Sequence, residues 1–224
     1  QYTYGASVPG NYMPDLENAG CILFWGYNPN IARLAHAVAT TDALKRGARL
    51  IVVDPRRAGL ANRADLWLQV RPGTDGALAL GIAHVMIERG WYDRAFIRQW
   101  TNGPLLVRAD NGRLLTERDL AVTGSVQRYV AWNEVQGAPT GYDPAHGYDG
   151  DNAEVALFGE FTLDTTQGKV LCRPAFDLAV EVCRRNSPER VAAICGVERD
   201  QIERAARLLW EARPVAYYAL SGLE

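Results

Sequence analysis

Three short turns hold the residues whose types and spacing could do chemistry: WGYNPN from Trp25, VDPRR from Val53 and RPGTD from Arg71. Each follows a run that reads as a strand. In an open parallel sheet such turns line one crevice at the strands' carboxyl ends, where nucleotides bind. In the first, the backbone N–H groups around Gly26, Tyr27 and Asn28, with the positive end of the helix that Pro29 opens, can hold a diphosphate without a charged side chain. The usual G-x-G-x-x-G fingerprint is missing. In the second, Asp54 can accept from ribose hydroxyls, while Arg56 and Arg57 add charge on the phosphate side or stay solvated. In the third, Asp75 offers a carboxylate at a glycine turn, an acceptor that suits a base edge with adjacent N–H donors, as guanine has. Each turn also has a plainer reading: Asn28-Pro29 as turn and cap, Asp54-Pro55 as strand stop, Asp75 as helix N-cap. Taken together and in order, they favour the binding reading.

The elements that must position these turns alternate in type. Cys21 to Trp25 is a continuous apolar run, the pattern of a parallel strand buried on both faces, and RLIVV at Arg49 is a second. Between them the spacing predicts a helix from Ile31 to Arg46, with Ile31, Leu34, Ala35, Val38 and Ala39 on one stripe. Strand, helix and strand make a βαβ unit with a right-handed crossover. ADLWLQV has β character, DGALALGIAHVMIERG predicts a helix from Asp75 to Glu88, and YDRAFIRQW a short one. From about Pro104 to Leu171 the composition turns to glycine, aspartate and short β-like runs, which reads as an irregular insertion or small β subdomain. Helical order returns with SPERVAAICGV, where Ser187 caps and Pro188 takes the first position. ERDQIERAARLLWEA is a second amphipathic helix. RPVAYYALSG then supplies a buried strand that ends at a turn, Ser221-Gly222. The fold class is α/β, a doubly wound, mainly parallel, Rossmann-like sheet in one domain over residues 1–224, with a β-rich insertion at about 104–171.

Composition narrows the partners. The chain of 224 residues has 48% hydrophobic and 22% charged residues and a formal net charge of -2, without a block of basic side chains to match a phosphate backbone. Nucleic acid is not expected. No apolar run approaches the roughly 20 residues that span a bilayer, so no membrane span is expected either. Cys21, Cys172, Cys183 and Cys195 are far apart with no C-x-x-C pair and read as buried apolar side chains. His36 and His84 fall in helical patterns and read as packing or surface residues, and His146 lies in a Gly/Asp-rich loop. No compartment is fixed by the residues, a cytoplasmic one being slightly favoured.

With these residues in place, LFWGYNPN, LIVVDPRR followed by ADLWLQVRPGTDGALALGIAHVMIERGWYD, then SPERVAAICGV and the final ALSGLE, the chain resembles the molybdopterin oxidoreductases of the dimethyl sulfoxide reductase superfamily. The resemblance runs in order across most of the chain and is weak only at 104–171. It implies a bis-(molybdopterin guanine dinucleotide) cofactor carrying molybdenum or tungsten, gripped in part by this α/β segment. By matching motif it places Trp25, Gly26, Tyr27, Asn28 and Pro29 at the diphosphate. It puts Asp54, Pro55, Arg56 and Arg57 on the ribose side, and Gly73, Thr74 and Asp75 at the guanine. Ser221 and Gly222 join the set as the turn after the last strand.

The chain also departs from that pattern. Family members bind the metal through a Ser, Cys, selenocysteine or Asp upstream of the first turn and often carry an N-terminal iron–sulfur cluster, and neither is recognisable here. Cys21 sits too late, inside a strand. The chain is therefore expected to be the central portion of a larger oxidoreductase, inert alone, whose catalytic residues are not identified. Its expected partners are the remaining domains of that enzyme and an electron-transfer subunit. The competing readings are an NAD(P)-binding domain, with Asp54 on the ribose and Arg56 and Arg57 on a 2′-phosphate, and a non-catalytic nucleotide-binding module.

Overall fold

A computed structural model describes residues 15–219. It divides into two compact units, one formed by the two ends of the chain and the other by Tyr92–Arg185. Ser221 and Gly222, expected at the cofactor, lie outside the described residues.

In the first unit, β1 (Cys21–Trp25) leads through a short helix α1 (Pro29–Ala32) into α2 (Leu34–Lys45), then β2 (Arg49–Val53), β3 (Leu66–Leu68) and α3 (Asp75–Glu88). The single helix expected from Ile31 to Arg46 is broken at Arg33, whose φ of -154° is not helical. Its apolar stripe also does not face the core. Ile31, Leu34 and Val38 are 80%, 69% and 62% exposed, and α2 instead buries His36, Ala37, Thr40 and Ala43. Small side chains let the helix lie close on the sheet. His36 is held there because the Tyr27 hydroxyl meets its Nδ1 at 2.7 Å.

The second unit begins with α4 (Arg94–Trp100) and β4 (Leu106–Arg108), then α5 (Glu117–Leu120), β5 (Tyr129–Asn133), β6 (Ala138–Asp143) and β7 (Gly147–Tyr148). It closes with β8 (Phe161–Thr165), β9 (Gly168–Pro174) and α6 (Ala175–Arg184). Two three-stranded antiparallel sheets form, ordered β4-β9-β8 and β5-β6-β7. The unit is wider than the 104–171 read from composition, because it includes α4 and the unforeseen α6. Arg108, 4% exposed, sits at its heart with Asp110 and Asp119.

The chain returns to the first unit with α7 (Pro188–Cys195), α8 (Arg199–Glu211) and β10 (Val215–Ala219). All four strands there are parallel, in the order β10-β1-β2-β3. Alternation along each strand feeds two cores. Cys21, Leu23 and Trp25 with Ile51, Val53 and Leu68 pack against α3, α7 and α8, including Leu78, Val191 and Ile202. Ile22 and Phe24 with Leu50 and Val52 pack on the opposite face with Ala43 and Leu60. Each fully buried Leu, Ile or Phe contributes about 1.5–3 kcal/mol, so burial on both faces outweighs any single polar contact in fixing the sheet. This is the doubly wound, mainly parallel arrangement expected. Among the described residues no helix is long and apolar enough to cross a membrane.

Candidate functional site

Register sets the site. Trp25 is level with Val53 on β2, and Val53 with Leu68 on β3, so the three strands end side by side. The Gly26 N–H then donates to Val53 O at 2.8 Å and the Asp54 N–H to Leu68 O at 3.2 Å, which carries the alignment one residue into the turns. The turns meet around a cleft of about 200 Å³ lined by Gly26, Asp54, Pro55, Arg56, Gly73 and Asp75, among others. All three turns are therefore brought together as expected.

Within the first turn the work is divided. Gly26 takes φ +59° and turns the chain off the strand. Its N–H is engaged with β2, so of the three N–H groups expected to face a diphosphate only those of Tyr27 and Asn28 lack an acceptor among the described residues. The Asn28 side chain caps α1, accepting from the Asn30 N–H at 3.2 Å, and Pro29 fills the first helical position. The cap reading and the binding reading thus apply to different atoms of Asn28. The Tyr27 ring is buried against Phe24, His36 and Tyr218. Burial pushes its hydroxyl up and holds the His36 imidazole below its ordinary value, with the Arg33 cation adding to the latter.

In the second turn Asp54 Oδ1 accepts from the Arg56 N–H at 2.7 Å, which shapes the turn and leaves Oδ2 without a partner among the described residues. Trp67, not singled out from the sequence, donates its indole N–H to Asp54 O at 2.9 Å, and the Arg57 guanidinium lies over its ring at 5.4 Å. Arg57 is therefore tied to an aromatic surface, while Arg56 lines the cleft.

The third turn is closed by the Thr74 N–H on Arg71 O at 3.1 Å, with Gly73 at φ +82°, a geometry that glycine adopts without strain. Thr74 is the residue that precedes α3, but its hydroxyl donates back to Arg71 O at 2.7 Å and caps nothing. Asp75 is the first residue of α3 rather than its N-cap. Its Oδ1 accepts from the Trp25 indole N–H at 2.7 Å, and Oδ2 has no partner among the described residues. That 50-residue link leaves no local signal in the sequence.

All four cysteines are buried, and burial pushes the Cys21 and Cys172 thiols up to about 11. Among the described residues no group of three or more His, Cys, Asp or Glu side chains could hold a metal ion.

The molybdopterin oxidoreductase family model matches residues 1–197. The chain is 31% identical to the perchlorate reductase subunit alpha of Dechloromonas aromatica over 89% of its own length and 24% of the relative's. It is 38% identical to the dimethyl sulfoxide reductase DmsA of Escherichia coli over 46% of its length and 13% of the relative's. In structure it is similar to acetylene hydratase from Pelobacter acetylenicus, with a TM-score of 0.54 and 22% identity over 92% of this chain and 18% of that one, a likeness of fold. The chain spans between 21% and 24% of the length of the curated relatives it matches along most of its sequence. Matched by the family model over residues 1–197 and by a relative at 31% identity over 89% of its length, the chain belongs to the molybdopterin oxidoreductases of the dimethyl sulfoxide reductase superfamily.

Proposed function

We propose that the cleft at the carboxyl ends of β1, β2 and β3 holds one molybdopterin guanine dinucleotide through its nucleotide end. The observation that carries this is Asp75: a carboxylate lining the cleft, anchored at one oxygen and free of helix-capping duty. An ionised carboxylate only accepts hydrogen bonds. Guanine presents two adjacent N–H donors, whereas adenine pairs a donor with an acceptor. Asp54 Oδ2 is the ribose acceptor, and the Tyr27 and Asn28 N–H groups with Arg56 suit the diphosphate. A space of about 200 Å³ is smaller than the roughly 300–1,000 Å³ of whole small-molecule sites and fits one end of a longer ligand.

When bound, the cofactor supplies a molybdenum or tungsten centre for two-electron or oxygen-atom transfer in the larger enzyme. The residues described here bind and orient. An NAD(P) reading is not favoured, since the chain's family binds molybdopterin and the dinucleotide fingerprint is missing. An electron-transfer subunit is the expected partner, in keeping with a relative named as a subunit alpha, and an iron–sulfur cluster would lie outside this segment.

The test is molybdenum and acid-released GMP per polypeptide in the full-length enzyme. Hydrogen bonds to charged groups contribute about 1.5–3 kcal/mol, so Asp75→Asn should lower cofactor retention about tenfold or more, with thermal unfolding unchanged. Normal GMP content in that variant would remove Asp75 from base recognition.

A further inference from the structure

The carboxylate on which the guanine reading rests is held by a residue from a different turn. Trp25 is the last residue of β1 and only 6% exposed, and its indole N–H reaches Asp75 Oδ1 at 2.7 Å. A buried indole N–H needs an acceptor, and Asp75 is the one it has among the described residues. Asp75 in turn has no other hydrogen-bond partner among them. At the first position of α3 its carboxylate stands beside free backbone N–H groups and the positive helix end, both of which attract it. Nothing within α3 keeps it from turning onto them.

We propose that Trp25 is a positioning residue for nucleotide recognition, its indole N–H fixing the Asp75 carboxylate toward the cleft and away from the N-terminus of its own helix. This inference rests on the guanine reading above. The hydrogen bond occupies one lone pair of Oδ1, which leaves one on that oxygen and both on Oδ2 for the two donors of the guanine edge. The hydrogen bond is charge-assisted because its acceptor is a carboxylate, and its donor comes from a residue only 6% exposed. Trp25 therefore acts from behind Asp75, joining the first turn to the third, and not through the diphosphate.

The experiment compares Trp25→Phe, Asp75→Asn and the double variant of the full-length enzyme, purified with cofactor for GMP and molybdenum content. The same proteins, prepared without cofactor, are titrated with GDP and with IDP, which lacks the exocyclic amine. A hydrogen bond to a charged group translates to roughly tenfold in binding. Trp25→Phe should thus weaken GDP binding about tenfold, narrow the preference for GDP over IDP, and add little to Asp75→Asn in the double variant. Should Trp25→Phe fail to fold, benzothienylalanine at position 25 keeps the bicyclic shape without the N–H and carries the same expectation. Wild-type GDP binding and GMP content in Trp25→Phe, beside a loss in Asp75→Asn, would overturn the positioning role and leave the guanine reading standing. Losses that multiply in the double variant would show that Trp25 acts by packing, which also overturns it. No loss in either single variant would overturn the guanine reading and the inference with it.

Discussion

Replacing Gly59 with alanine tests how the first two turns support each other. Gly59 opens the short 3-10 turn after β2 at φ +57°, and a Cβ there would stand 2.7 Å from Asn28 Oδ1 and 2.8 Å from Asn30 Oδ1. A non-glycine residue in the left-handed region costs about 1–2 kcal/mol. The contact itself could be relieved by swinging the asparagines away. Asn28 Oδ1, however, is the atom that caps α1, and losing such a cap costs about 0.5–2 kcal/mol. Gly59→Ala should therefore destabilise by about 1.5–4 kcal/mol. In an Asn28→Ala background, where the cap is already gone, only the backbone part of about 1–2 kcal/mol should remain. Urea unfolding of the four proteins gives the coupling directly. A loss below about 0.5 kcal/mol for Gly59→Ala, or equal losses in both backgrounds, would refute the claim that Gly59 makes room for the cap.

Two further outcomes follow from packing and charge. An alanine Cβ at Gly81 in α3 would lie 2.9 Å from Val191 Cγ1, so Gly81→Ala should destabilise by overpacking, about 1–3 kcal/mol less about 1 kcal/mol of helix propensity. In a Val191→Ala background, where the two methyl contacts go and only the position 191 Cβ at 3.1 Å remains, the loss should shrink, which thermal unfolding reads. His36, whose imidazole burial holds below its ordinary value, should make stability pH-dependent. The native state resists its protonation, so stability is full above the unfolded value of about 6.5 and declines as pH falls from there through the folded one. His36→Gln should flatten that part of the profile measured by urea midpoints.

What the sequence made legible was what local pattern encodes. β1 and β2 are buried on both faces, so they read as unbroken apolar runs. Ser187 before α7 and Pro188 at its first position mark its start, and the Ser187 side chain caps the helix in the structure. Gly73 between Pro72 and Thr74 marks a turn that needs positive φ. The orientation of α2 was not legible, because its most apolar face is the exposed one. The small residues that approach the sheet, and the Tyr27–His36 hydrogen bond that selects them, are tertiary facts. α6 was missed behind a turn-rich stretch whose composition dominated the reading. The cleft's position followed from the order of strands and turns, but the Trp25–Asp75 bond spans 50 residues and belongs to no motif with a spacing.

The most direct test of the central claim is a structure of the full-length enzyme with its cofactor bound. The guanine N1–H and exocyclic amine should lie within hydrogen-bond distance of the Asp75 carboxylate, with a ribose hydroxyl on Asp54 and the diphosphate at the Tyr27 and Asn28 N–H groups. A nucleotide end placed outside the cleft formed by Gly26, Asp54 and Gly73, with Asp75 turned onto the N-terminus of α3, would contradict it.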